Sequence, residues 1–224
     1  GIACMQELFS EQHPIANMLS IKGFQLMMSK AYNNNIDIDA KQIKDLMKIM
    51  RQNSVAFILT HKTYLDTVVL VNTLGRYGMP IPYSCGGINL AFPGFKQLAK
   101  KSGIISIRRS FKDDLIYKAA LRHYISCLIE NGDHLTWNIE GTRSRTGKIV
   151  YPQMGILKYI MEAEQGSTRK IKYIPVSIVY DLIPDVKEMT EEGKGKEKKS
   201  EDIATFFSYI KKLGNEFGKA AIRF

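Results

Sequence analysis

A histidine and an aspartate stand five positions apart in His61-Lys62-Thr63-Tyr64-Leu65-Asp66, where one apolar run ends and another begins. A neutral imidazole can take a proton from a substrate hydroxyl. A carboxylate on its other ring nitrogen fixes the tautomer and steadies the imidazolium that forms. Five residues along an ideal helix is about 140° of rotation, which splays such a pair apart. The two can meet only if His61 lies before the helix that carries Asp66. A second reading of the same residues is structural. Thr63-Tyr64-Leu65-Asp66 fits a capping box, in which the Asp66 carboxylate only binds a backbone N–H at a helix start.

Two charged groups follow in chain order. Arg108-Arg109 closes the apolar-biased segment 104–107, and Glu140-Gly141-Thr142-Arg143-Ser144-Arg145 follows the run 135–139. A guanidinium fork matches phosphate oxygens bidentately, and a loop N–H beside Gly141 adds a donor. Taken singly, each arginine is more often a solvated surface residue. Side chains alternate along a strand, so only one of Arg108 and Arg109 readily faces a given site. A phosphate-binding Walker loop is excluded. Gly141 and Gly147 are separated by five residues where that loop has four, and Lys148 is followed by Ile149 where Ser or Thr is needed.

The elements that must position these groups can be read from apolar spacing. Val55-Ala56-Phe57-Ile58-Leu59 has the length and continuity of a buried strand and delivers His61 to its carboxyl end. Open α/β sheets bind ligands in the crevice outside those ends. A helix over 64–77 follows, then a turn at 78–82, a flexible loop at Ser84-Cys85-Gly86-Gly87 and a short helix over 95–101. A strand at 103–107, a helix over 113–130 ending at Asn131-Gly132, and a strand at 135–139 continue the alternation. Further helices are expected over 15–31, 40–50 and 155–164, with Ile43, Leu46, Met47 and Met50 forming one buried stripe. Residues 171–179 read as a strand, in which Pro175 argues for an edge, a bulge or a strand start. The Lys/Glu/Gly-rich run 185–202 reads as a solvated loop or insertion, and Ser200 as the cap of a helix ending at Gly214. The repeated strand, loop, helix pattern predicts an α/β fold.

With 224 residues the chain fits one domain, with a helical lead-in over 1–53. It begins without Met, and Ala220-Ala221-Ile222-Arg223-Phe224 reads like a strand cut short. Both features suggest a piece excised from a longer protein. The net charge of +10 points to anionic company, such as phosphate metabolites, an acidic carrier protein, anionic lipid or nucleic acid. Nucleic-acid readers cluster basic residues on one element with stacking aromatics, whereas these arginines converge with a His/Asp pair. Cys4, Cys85 and Cys127 lack metal-ligand spacing, no metal is expected, and a reducing compartment fits better than secretion. No stretch approaches the length of a membrane span. The absence of a nucleophile elbow favours base catalysis over a covalent enzyme intermediate.

Four blocks in order give the chain its resemblance to the glycerol-3-phosphate acyltransferases, within the wider glycerolipid acyltransferases. They are His61 to Asp66 as H-x4-D, Gly103 to Arg109 as G-x-x-x-I-R-R, Glu140 to Arg145 as E-G-[TG]-R-S-R, and Ile174-Pro175-Val176-Ser177. Cys85 to Leu90 also resembles the family's segment before the second block. The resemblance covers residues 54–181 well and the flanks more loosely. It implies an α/β fold with a mixed central sheet flanked by helices, and that His61 is the general base on the sn-1 hydroxyl of glycerol 3-phosphate, with Asp66 as its partner. It implies that Arg109, Glu140, Gly141, Arg143 and Arg145, with Arg108 beside them, hold that substrate, and that Pro175 shapes the wall of the site or an acyl groove. Acyl-CoA or acyl-carrier protein is the implied co-substrate, without a further cofactor. The implied location is peripheral, on the cytoplasmic side of an anionic membrane. Ser106, Asn138 and Ile139 stand where aromatic residues are common in the family, which bears on acyl-chain preference. Thr142 matches a form also seen in dihydroxyacetone-phosphate and lysophosphatidate acyltransferases.

Overall fold

Alternating apolar strands and amphipathic helices fold here into one seven-stranded sheet covered on both faces. The computed structural model describes residues 1–87, 95–108, 110–111, 113–144, 146–195, 208–211, 213–214 and 217–224. The elements run α1 (Ile2–Leu8), α2 (Pro14–Tyr32), β1 (Ile36–Ile38), α3 (Ala40–Gln52), β2 (Ser54–Leu59), α4 (Leu65–Arg76), β3 (Tyr83–Gly87), α5 (Phe95–Lys101), β4 (Ile104–Ile107), α6 (Leu115–Glu130), β5 (Leu135–Asn138), α7 (Gly155–Gln165), β6 (Ile171–Tyr180), α8 (Val186–Gly193) and β7 (Ala220–Arg223). Strand order is β1-β7-β6-β2-β5-β3-β4. All described neighbours are parallel except β6 and β7, so the sheet is mixed, as the family resemblance implies.

The core divides in two because β2 is buried on both faces. Val55, Phe57 and Leu59 point into a layer with α2, α3 and α4, and Ala56 joins Leu121, Ile125, Leu135 and Ile160 in the layer made by α6 and α7. Alternation along the strand sends successive side chains to opposite layers, which is why β2 reads as a continuous apolar run. It lies between β5 and β6, the most enclosed position in the sheet. Its amino end is closed by Ser54, whose hydroxyl donates to the Ile129 carbonyl, and by the buried His134, whose Nδ1 accepts the Val55 N–H at 3.1 Å.

Three expectations are corrected. Ser84 to Gly87, read as a flexible loop, belong to β3, which pairs with β4 on one side and β5 on the other; its small residues concealed a paired strand. Pro175 sits in an interior strand, opposite Ile58 of β2. Among the described residues, β7 pairs with Ser177 to Tyr180, so the described pairing on that side stops short of Pro175. Residues 186–193 form α8, where a solvated loop is expected from composition. Met189 is its buried anchor, and the Asp185 carboxylate before it accepts the Tyr64 N–H at 3.1 Å. Residues 196–202 of that run, and Ser200 as a cap, lie outside the described residues, while 208–211 are helical. Within the lead-in, β1 joins the sheet through β7.

Candidate active site

The loop between β2 and α4 places His61 before the helix, which is the condition for a contact with Asp66. His61 Nδ1 lies 3.4 Å from Asp66 Oδ2, with the imidazole 21% and the carboxylate 5% exposed. The same oxygen accepts the N–H of Lys62 at 2.7 Å and of Thr63 at 3.0 Å, while the Leu65 N–H donates to the Thr63 hydroxyl at 3.3 Å. One carboxylate therefore both faces His61 and caps backbone N–H groups ahead of α4, while the Asp66 N–H goes to the Thr63 carbonyl rather than its hydroxyl, so one arm of the capping box is made. The second oxygen of Asp66, Oδ1, accepts the hydroxyl of Tyr180 at 2.8 Å.

The third motif reaches this loop through the sheet. Leu59 of β2 pairs with Asn138 of β5, so both chains leave the sheet side by side. The Ile139 N–H donates to the Leu59 carbonyl, and the Ser144 N–H donates to the His61 carbonyl, each at 2.8 Å. The turn between them requires Gly141, whose φ of +67° favours glycine. Ser144 closes the loop by donating its hydroxyl to the Lys148 carbonyl.

Arg143 is 4% exposed and lies over the Tyr64 ring, its guanidinium carbon 4.9 Å from the centroid. Nη2 donates to Glu192 of α8 at 2.8 Å. Burial works against its charge, but Tyr64, Glu192 and Asp185 outweigh it and hold the guanidinium above its ordinary range. Nε and Nη1 have no partner among the described residues, nor does either carboxylate oxygen of Glu140, which is 1% exposed. Buried polar groups are normally paired, so this loop presents unfilled hydrogen-bonding capacity beside the histidine.

Arg108 is used differently. Its guanidinium binds Glu7 through Nε and Nη2, binds Asp114 through Nη1, and stacks on Tyr117 at 4.4 Å. It ties α1 and the start of α6 to the end of β4, and its fork is occupied. Arg109 and Arg145 lie outside the described residues. Pro175, Ser177 and Val179 are exposed together, consistent with alternation along β6.

Tyr180, Asp185 and Glu192 escaped the sequence reading. Tyr180 ends the strand beside β2, and that adjacency is visible only once β6 is paired. Burial pushes the Asp185 carboxyl above the usual carboxylate range, while contacts with Thr63, Arg143, Tyr64 and Tyr209 oppose the shift. Among the described residues, no group of three or more His, Cys, Asp or Glu side chains is placed to hold a metal. Chemically, the arrangement offers an imidazole paired to a buried carboxylate, beside a basic loop whose Arg143 has two N–H-bearing nitrogens without a partner among the described residues.

A model of the Acyltransferase family matches residues 41–179, which spans all the elements from α3 to β6. The chain is 36% identical over 204 residues to "Putative acyltransferase plsB1" of Mycobacterium tuberculosis and of Mycobacterium bovis, covering 91% of this chain and 32% of theirs. It is 29% identical over 207 residues to "Glycerol-3-phosphate acyltransferase" of Pseudomonas fluorescens, covering 92% of this chain and 25% of that protein. The chain thus spans about a third or less of the length of these relatives. With the His61–Asp66 pair at the end of β2 and the family match covering the sheet that carries it, the chain belongs to the Acyltransferase family.

Proposed function

We propose that this domain transfers a fatty acyl group from acyl-CoA or acyl-carrier protein to the sn-1 hydroxyl of glycerol 3-phosphate, giving lysophosphatidate. The observation that carries the reading is the His61–Asp66 contact, with the 140–145 loop hydrogen-bonded to the His61 carbonyl. His61 Nε2 takes the hydroxyl proton as the oxygen attacks the thioester carbonyl. The tetrahedral intermediate then expels the thiolate, which receives that proton from the imidazolium. Asp66, held by backbone donors, keeps Nδ1–H facing it and balances the charge. Arg143, Arg109 and Arg145 are assigned to the acceptor's phosphate, with Glu140 and Gly141 shaping the loop. Arg108 is left to the architecture. Pro175, on the exposed face of β6, suits the wall of an acyl groove.

Two features support work at a membrane surface. The net charge is +10, and α2 exposes Ile15, Met18, Leu19 and Leu26 together with Lys22 and Lys30. Apolar side chains flanked by lysines suit insertion among anionic headgroups. No described helix is long and apolar enough to cross a membrane.

The test is thiol release from acyl-coenzyme A with glycerol 3-phosphate, dihydroxyacetone phosphate and lysophosphatidate compared as acceptors. Preference for either of the last two reassigns the acceptor, and Thr142 makes both fair competitors. No turnover with any of them leaves a non-catalytic polyanion-binding module. Sedimentation with anionic vesicles should weaken as salt rises, because exposed charges more than about 10 Å apart are largely screened near 0.1 M. Equal binding to neutral vesicles would remove the electrostatic part.

A further inference from the structure

We propose that Tyr180 is a positioning residue for the acyl transfer, its hydroxyl locking the Asp66 carboxylate in the plane that meets His61 Nδ1. This role rests on His61 being the base. The two oxygens of Asp66 are loaded unequally. Oδ2 serves Lys62 N–H, Thr63 N–H and His61 Nδ1, whereas among the described residues Oδ1 has one partner, Tyr180, at 2.8 Å. Rotation about the Cβ–Cγ bond would swing Oδ2 off the imidazole, and a donor fixed on Oδ1 opposes that rotation.

Tyr180 is itself fixed. It ends β6, where it pairs with Ala220 of β7, and its ring stacks on Tyr32 with centroids 5.7 Å apart. The Tyr32 hydroxyl donates to the Leu182 carbonyl at 2.9 Å, so it does not compete for Asp66. Other ionisable groups nearby are Asp185, which takes the Tyr64 N–H, and Tyr209, 3.5 Å from the Thr63 hydroxyl. Burial and the Asp66 charge push the Tyr180 phenol well above its ordinary value, so it stays a donor throughout turnover. A hydrogen bond to a charged group is among the stronger ones, and leaving a buried acceptor unpaired is costly.

The experiment compares Tyr180→Phe, Tyr32→Phe and His61→Ala in the full chain, with acyl-coenzyme A and glycerol 3-phosphate, each variant checked for a cooperative melt. Tyr180→Phe should lower kcat about tenfold, with both KM values within about twofold. Its pH–rate profile should show the acid limb moved to higher pH, because a dyad that loses a donor binds its proton more tightly. Tyr32→Phe removes a hydroxyl from the same cluster and should keep both kcat and limb. Wild-type kcat and limb in Tyr180→Phe, beside a slow His61→Ala, overturn this role alone. A change confined to KM, or an equal loss in Tyr32→Phe, also overturns it. An inactive wild type, or a His61→Ala as fast as wild type, brings down the reaction itself and this role with it.

Discussion

The two ends of β2 each carry a histidine, and the contrast between them separates architecture from chemistry. At the amino end, His134 is 6% exposed and its Nδ1 accepts a backbone N–H. At the carboxyl end, His61 Nδ1 faces a carboxylate, and the ring is more open. An imidazole that must accept at Nδ1 is useful only while neutral, and burial pushes His134 below its ordinary value accordingly. One that faces a carboxylate gains a counter-charge when it takes a proton. The partner at Nδ1 decides which histidine can be a base.

The sharpest way to break this comparison is truncation at both ends. His61→Ala should lower the rate by about 10²- to 10⁴-fold with little change in melting, since a positioned general base contributes on that order. His134→Ala should keep kcat per folded molecule and cost about 1–3 kcal/mol, because the Val55 N–H loses its acceptor. A His134→Ala as slow as His61→Ala would collapse the distinction.

The next effect isolates the charge on Asp66. Asn at this position can keep its oxygen on the Lys62 and Thr63 N–H groups and turn its amide to the Tyr180 oxygen, so capping survives while the charge is lost. Asp66→Asn should lower kcat by about 10²-fold with the melting temperature kept. Asp66→Ala should add a loss of about 1 kcal/mol from the cap. Equal activity in Asp66→Asn and wild type would reduce Asp66 to a cap.

A smaller effect is expected at the basic loop. Arg143→Lys keeps the charge but loses the planar fork, and the acceptor KM should rise about tenfold with the acyl-donor KM little changed. Arg108→Lys should instead lower the melting temperature and leave both KM values alone. Two-substrate kinetics decides. A selective rise in the acyl-coenzyme A KM would move Arg143 to the coenzyme's phosphates.

The smallest effect is a pH dependence at the closed end. The unfolded chain takes a proton on His134 near 6.5 while the folded chain resists it. The stability contributed by the neutral ring is therefore full above about pH 6.5 and lost as pH falls below it. His134→Asn, whose amide oxygen can accept the Val55 N–H, should narrow the gap in melting temperature between about pH 7.5 and about pH 5.5. An unchanged gap would mean that other groups govern acid sensitivity.

Much of this was legible without coordinates. The run Val55 to Leu59 announced a buried strand, and its continuity has its cause in the two apolar layers that β2 faces. The strand-then-helix pattern allowed His61 to lie before the helix of Asp66 without requiring it. The α/β class followed from the strand, loop, helix alternation, which by itself does not reveal the antiparallel pairing of β6 with β7. Composition misled where a segment is held by a few contacts: α8 rests on Met189, the Asp185 bond to Tyr64 and the Glu192 pair with Arg143, none of which a Lys/Glu-rich run reveals. Ser84 to Gly87 likewise show no strand propensity and are ordered by β4 and β5 on either side.

By itself the sequence determined the pairing of residue types with spacing: a histidine and a carboxylate across a helix start, then arginines at later strand ends. Local geometry suffices for this, since a capping box and a strand end are short-range structures. Only the tertiary structure decided how those pieces are shared out. It gave Arg108 to Glu7 and Asp114, put Arg143 beside Tyr64, and brought Tyr180 from 114 residues away onto the free oxygen of Asp66. Those assignments depend on strand order, which is set by the packing of two cores against one sheet rather than by any contact between sequence neighbours.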